Sequence, residues 1–168
     1  MTAGTNTGAY LGSVVRTSSD VRTTFSLSGT PGGSGTSVYL VGRRVGTNQE
    51  YRARVRLLPD GQVAVGVTRL AGSGTETLIG AEVVLADRWS SGRAFDARFT
   101  VTGAGTTQLG ITVWPHDAAQ PATPAVTRTD STASLQVPGA PGLLGYLSGS
   151  ATGPATLRFA AFTVLPVG

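Results

Sequence analysis

Arg52, Arg54 and Arg56 alternate with Tyr51, Ala53, Val55 and Leu57 at the start of YRARVRLLPDGQVAVGVTRL, residues 51–70. Successive side chains of a strand point to opposite faces, so the three guanidinium groups share one face and the apolar set the other. Guanidinium forks grip carboxylate or phosphate bidentately and also address sugar hydroxyls. Their spacing of about 7 Å along the strand suits a repeating polymer better than a compact small molecule. Three like charges at i, i+2 and i+4 favour an anionic partner, or acids from an adjacent strand or domain; a solvated, charge-solubilised sheet face has the same pattern. Arg98, polar-facing in the alternating run 93–102, is a candidate continuation of the stripe on a neighbouring strand.

Catalytic constellations are harder to assemble. Retaining glycoside hydrolysis needs two carboxylates about 5 Å apart. The glutamates are Glu50, Glu76 and Glu82, and no strand presents two carboxylates on one face at that spacing. The single histidine, His116, sits in Trp114-Pro115-His116-Asp117 with no serine in a nucleophile-elbow setting, and reads as part of a solvated turn. With no cysteine, thiolate catalysis, thiolate metal sites and disulfides are excluded together. Neither a phosphate-cradling glycine loop nor a histidine-rich metal pattern occurs. The expectation is therefore a chain that is not an enzyme and needs no cofactor.

Recognition by a surface is what those exclusions leave. Sugars stack their apolar faces on aromatics while forked polar side chains take the hydroxyls. The phenylalanines fall where the pattern says core, which leaves Tyr39, Trp89, Trp114 and Tyr146 as possible platforms. The candidate ligand set is Tyr39, Arg52, Arg54, Arg56, Arg98 and Trp114, although an aromatic at a strand end is more often a core lid with a wet polar tip.

The elements that must carry these residues are strands. Pro59, Asp60 and Gly61 supply a turn with a mechanism, a preset φ, an Asx bond and a positive φ, so residues 51–70 form a hairpin. Further strands are expected at 9–15, 21–28, 37–45, 76–85, 93–102, 108–114, 142–147 and 157–164, with loops at 29–36 and 115–124. Arg43 and Arg44 should mark a strand end emerging at the sheet edge, and residues 87–92 could hold a short helical turn. The last strand is apolar on both faces, as expected where a second sheet or loops cover it. Val55, Leu57, Phe95, Phe99, Leu109, Ile111, Val113 and Phe159 are the expected core.

At 168 residues, with 24 glycines, nine prolines and 13% charged residues, the chain suits one domain of short strands and many turns. All 13 basic residues are arginine against nine acids, a net charge of +4 too small and scattered to indicate nucleic-acid binding by itself. The exclusive use of arginine fits a GC-rich bacterial genome, or else selection for planar, bidentate recognition of carboxylate or phosphate. Residues 1–10 have neither a basic nor an apolar signal region, and no run approaches the roughly 20 apolar residues of a membrane span. Residues 1–8 read as linker or an appended start, 9–165 as one sandwich domain and 166–168 as tail.

The segments GAYLGSV, VYLVGRRVGTNQEYRARVRLLPDGQVAVGVTRL, TQLGITVWP and above all GLLGYLSGSATGPATLRFAAFTV resemble the concanavalin A-like, laminin-G-like jelly-roll modules of secreted proteins from GC-rich bacteria. The resemblance implies an all-β, antiparallel two-sheet sandwich, a secreted or cell-surface location, neighbouring domains in a larger protein, and a polysaccharide or cell-surface glycan as partner. Hydrolytic members of that superfamily carry a Glu-x-Asp-x-x-Glu strand, which this chain lacks. Many relatives place aspartates in the closing strand, where a carboxylate can join a calcium site. Ala160 and Ala161 stand there instead, leaving Asp20, Asp130 and backbone carbonyls as the only alternative ligands, so a metal site is not expected. Two functions follow as expectations: a non-catalytic carbohydrate-binding or adhesion module, or a structural spacer or assembly domain with no glycan ligand.

Overall fold

The computed structural model describes residues 1–167, and Gly168, within the expected tail, lies outside them. Twelve strands form two antiparallel sheets. They are β1 (Asn6–Tyr10), β2 (Ser19–Ser28), β3 (Thr36–Gly46), β4 (Gln49–Leu57), β5 (Gln62–Ala71), β6 (Thr77–Leu78), β7 (Val83–Arg88), β8 (Ala94–Thr102), β9 (Thr107–Pro115), β10 (Val126–Asp130), β11 (Ala140–Leu147) and β12 (Thr156–Leu165). A seven-stranded sheet runs β1-β11-β3-β4-β5-β6, with β7 also paired to β5. The second sheet runs β10-β9-β8-β2-β12. This is the expected all-β sandwich.

The alternation that predicts the strands also fills the core. Val55 and Leu57 of β4 meet Phe95, Phe99, Ile111 and Val113 of the opposite sheet in one cluster. Gly42 lets β3 approach β8 closely, since a Cβ there would sit 2.2 Å from a Val101 methyl. The Pro59-Asp60-Gly61 reversal joins β4 to β5, with Gly61 at φ +86° and Asp60 Oδ1 accepting the Gln62 amide at 3.0 Å.

Four expectations are corrected. Residues 6–8 are not linker: β1 extends the seven-stranded sheet by pairing Asn6 to Tyr146 through Tyr10 to Gly142, and backbone pairing needs no apolar side chains. Arg43 does not emerge at an edge. A bulge between Val41 and Arg43 resets the alternation, leaving Tyr39 and Val41 outward and turning Arg43, 0% exposed, into the core. There it donates to the Leu135 carbonyl at 2.8 Å, the Gly103 carbonyl at 2.6 Å, the Thr17 carbonyl, and Thr107 Oγ1 at 3.0 Å. The closing strand β12 is covered on one face only: it ends the five-stranded sheet on the flank where β1 ends the other, so Leu157, Phe159 and Phe162 pack partly against the core while its outer face is exposed. Phe159 is accordingly half-buried, and Phe159, Phe162 and Leu143 line an apolar slot of about 400 Å³ between the two edges. Finally, residues 87–92 hold no helix; the one 3₁₀ turn among the described residues is Ala133–Leu135.

Candidate functional site

The outer face of the seven-stranded sheet collects the groups singled out on β4. Register places Tyr39 opposite Arg54, and Arg54 opposite Gly66 of β5. After β5 the chain doubles back, and residues 72–82 cross this face as a strap whose Ile79 amide bonds the Val67 carbonyl at 2.8 Å. Gly66 keeps the crossing open, since a Cβ there would come within 2.9 Å of Glu82 Cγ and 3.1 Å of Leu78 Cδ2.

The strap delivers the acids that three aligned arginines require. Arg54 donates to Glu76 Oε2 at 2.8 Å and to Glu82 Oε1 at 3.1 Å, while Arg56 donates to Glu82 Oε2 at 3.0 Å. Arg52 pairs with Glu50, two residues earlier on its own strand and only 2% exposed. All three glutamates of the chain thus lie on this face, each paired with an arginine of the stripe, while Arg44, opposite Glu50 in register, lies over the Tyr10 ring at 4.4 Å. Glu76 also accepts from Thr68 Oγ1 at 2.8 Å and Tyr39 Oη at 3.3 Å. The Arg52 guanidinium lies 5.1 Å from the centre of the Tyr39 ring, within cation–π range.

Two adjoining depressions, of about 350 and 300 Å³, make one groove with Tyr39, Glu76 and Tyr146 in common. Asn6, Asn48 and Arg52 line one end. Ser34, Ser37, Arg54, Arg56 and Ser148 line the other. Burial, followed by the nearby Glu76 charge, raises the Tyr39 pKa above its ordinary value, so the phenol stays a neutral donor. Burial lowers that of Arg54, but Glu76 and Glu82 outweigh it and the net direction is up. Both oxygens of Glu76 and of Glu82 already accept from neighbours. The groove is a fixed lattice of donors and acceptors, in which the acids serve as counterions.

The structure therefore brings together Tyr39, Arg52, Arg54 and Arg56, and separates them from Arg98 and Trp114. Strand order is the reason: β8 and β9 belong to the other sheet, so alternation carries their polar faces to the far side of the sandwich. Arg98 there shares Asp20 with Arg22, with Nε 3.0 Å from both Asp20 oxygens. Burial pushes the Asp20 pKa up, yet the bonds from Arg22 and Arg98 bring it below the usual value. Trp114 is 9% exposed on that far face. Trp89 is core, donating its indole N–H to the Leu58 carbonyl at 2.7 Å.

Asp20 and Asp130, the two acids left for calcium, are both engaged by arginine: Asp20 as above, and Asp130 by Arg69 and by Tyr51 Oη at 2.6 Å. No cluster of three potential metal ligands occurs among the described residues. Sequence reasoning missed Asn6, Asn48, Glu76 and Glu82 as groove residues. Glu50 was within its reach, because it lies at i−2 from Arg52 on the same strand face; the strap carries no periodic signal.

No family model matches this sequence, and no curated protein matches it. The fold has solved neighbours. A carbohydrate-binding module, CBM66 from Bacillus subtilis, superposes with a TM-score of 0.62 at 13% identity, over 98% of this chain and 83% of that one. A PL-14 alginate lyase from Aplysia kurodai gives 0.55 at 10% identity, covering 90% and 70%. The CBM2 module of the evolved Dit protein of Lactobacillus casei phage J-1 gives 0.52 at 9% identity, covering 95% and 67%. At such identities the likeness is one of architecture: the chain has the β-sandwich fold that sugar-binding modules share with at least one polysaccharide lyase.

Proposed function

We propose that the chain is a non-catalytic carbohydrate-binding module of a secreted or cell-surface protein, holding an extended, uncharged glycan in the groove over Tyr39 and Tyr146. The observation that carries this is the groove's prepaired lattice. Hydroxyl-rich chains need many donors and acceptors already fixed in place, and a guanidinium held by a carboxylate still has N–H groups to offer. The same pairing argues against an acidic polymer, which would have to displace Glu76 and Glu82 from Arg54 and Arg56. Catalysis is disfavoured because those carboxylates, the only acids over the groove centre, are tied up on both oxygens.

The test is titration of neutral and uronic acid polysaccharides against the wild type, Tyr146→Ala and the Arg52→Ala/Arg54→Ala double variant. The expected result is weak binding of a neutral glycan that both variants reduce at least fivefold, with no fall in polymer length on long incubation. Failure of every neutral glycan to bind, or equal binding by both variants, overturns the reading. A spacer role has one observation in its favour, the apolar slot between β1 and β12, where packing against an adjoining domain would cover Phe159 and Phe162.

A further inference from the structure

The outer face of the five-stranded sheet has a depression of its own, unrelated to the groove. Ala161, Thr24, Asp96 and Trp114 stand in register across β12, β2, β8 and β9, forming one row on that face. Row by row the chemistry changes. In the next row Arg22 and Arg98 are both committed to Asp20. The Ala161–Trp114 row has no such internal closure.

Asp96 is held from two sides, by Thr24 Oγ1 at 2.6 Å and by His116 Nδ1, 3.0 Å from each carboxylate oxygen. A carboxylate has about four acceptor positions, so two supports fix its orientation and leave lone pairs free. Trp114 differs from Trp89 in a telling way. Trp89 spends its indole N–H on a carbonyl, whereas the N–H of Trp114 has no protein acceptor among the described residues and opens to solvent, where a ligand could take it. Ala161 ends the row with a single methyl group, and Gln120 and Thr163 edge the depression with unshared polar side chains. Its volume is about 200 Å³, the space of about seven liquid waters, which suits one sugar ring and not a run of them.

We propose that this depression is a second sugar site, which takes a single neutral sugar residue presented as a chain end or side branch. Asp96 accepts from a pair of adjacent hydroxyls, the Trp114 indole edge packs against the ring and offers its N–H, and Thr163 and Gln120 complete the set. The ligand is neutral because the Asp96 carboxylate repels acidic sugars, and the one guanidinium lining the depression, Arg22, is already paired with Asp20 at 2.7 Å. The site does not rest on the groove reading. With both in place, the two faces of the sandwich engage separate glycan segments, and the module can bridge chains.

Two indole N–H signals in a ¹⁵N-labelled spectrum make the test direct. The probes are the methyl glycosides of glucose, galactose, mannose and fructose, with methyl glucuronide as the acidic control. The expected result is a saturable shift of the Trp114 indole and of the Thr24 and Asp96 amides with at least one neutral glycoside, at dissociation constants on the order of 1 to 10 mM. The Trp89 indole and the Tyr39 and Tyr146 amides should stay fixed in that titration. Asp96→Asn should weaken the response at least fivefold. Ala161→Leu, which fills the depression from an exposed position without touching the polar network, should abolish it while leaving the spectrum folded. A Trp114 signal that no neutral glycoside moves, or one that moves equally in Ala161→Leu, overturns the proposal. Groove amides that respond while Trp114 does not would refute the second site and leave the groove standing; Trp114 responding alone to these monosaccharides supports the second site and leaves the groove to the polysaccharide titration.

Discussion

Glu82→Gln separates two accounts of the arginine stripe, because it removes one charge and keeps the shape. Glu82 bridges Arg54 and Arg56 at 3.1 and 3.0 Å, with 17% of its side chain exposed against 17% and 33% for its partners. Partly wet pairs of this kind each contribute about 0.2–1 kcal/mol once solvent screening is allowed for, so losing both should cost about 0.5–2 kcal/mol. For a domain of this size a 1 kcal/mol loss lowers the melting temperature by about 2–4 °C. The stripe meanwhile loses one of its three glutamates: Arg56 is left without a carboxylate partner, while Arg54 keeps Glu76 at 2.8 Å. A uronic acid oligomer gains the freed Arg56 fork, and about 0.5–1 kcal/mol of recovered pairing corresponds to roughly a two- to fivefold gain in affinity. A neutral oligosaccharide of equal length should change by less than twofold. Calorimetric titration of both ligands at low and high salt, beside a thermal melt, measures all three quantities. The gain for the acidic ligand should shrink as salt rises, since the Debye length falls to about 3 Å at 1 M. An unmodified protein that already prefers the uronic oligomer, or a variant whose uronic affinity does not move at low salt, would refute the view that Glu76 and Glu82 neutralise the stripe.

Phe99, fully buried between the sheets, should cost about 3–5 kcal/mol when cut to alanine, read from urea unfolding midpoints. Asp20 and Asp130 both have folded-state pKa values below the ordinary 3.8, so their stabilisation is complete above that value and is lost as pH falls through the lower folded-state values. Urea midpoints should therefore be flat from pH 7 to 5 and drop below pH 4, with a shallower drop in Asp20→Asn. Melting temperatures with EDTA and with millimolar calcium should agree, because arginine already occupies the two acids that calcium would need; a large upward shift would locate ligands elsewhere.

How far the sequence was readable follows from what periodicity can express. β4, β5, β8 and β9 alternate cleanly, and seven of the eight residues expected in the core are buried. Alternation assigns a residue to a face of its own strand but carries nothing about which sheet that strand joins. Arg98 and Arg54 look equivalent in sequence and lie on opposite outer faces, since β8 pairs with β2 and β9 and not with β4. The strand expected at 9–15 lies instead at Asn6–Tyr10: its first half escaped notice because Asn6, Thr7 and Gly8 belong to the sheet through backbone hydrogen bonds. The groove was half legible: the stripe and Tyr39 stand in strands, whereas Glu76 and Glu82 arrive on an aperiodic strap whose path depends on Gly66 leaving room beneath it.

Arg43 shows where period-2 reasoning breaks, and it yields a prediction that divides folding from binding. One bulge turns a residue that belonged to a polar pair into the most deeply buried charge of the core. Burial lowers its pKa, and no carboxylate compensates; its partners are three carbonyls and a threonine hydroxyl. Arg43→Met removes a desolvated charge, which by itself is stabilising, and leaves no stranded counter-charge. Against that, the Leu135 carbonyl loses its donor in a buried site, at about 1–3 kcal/mol, while the Thr17 and Gly103 carbonyls are only partly buried and can turn to water. The second effect wins, because the arginine also ties together three separate segments whose loops would loosen without it. The expected net loss is about 2 kcal/mol, short of unfolding, with glycan affinity unchanged, since Arg43 touches none of the groove side chains. A variant as stable as the wild type would show that relief of desolvation dominates. One that stays folded and loses glycan binding would show that the groove depends on the bulge beneath it.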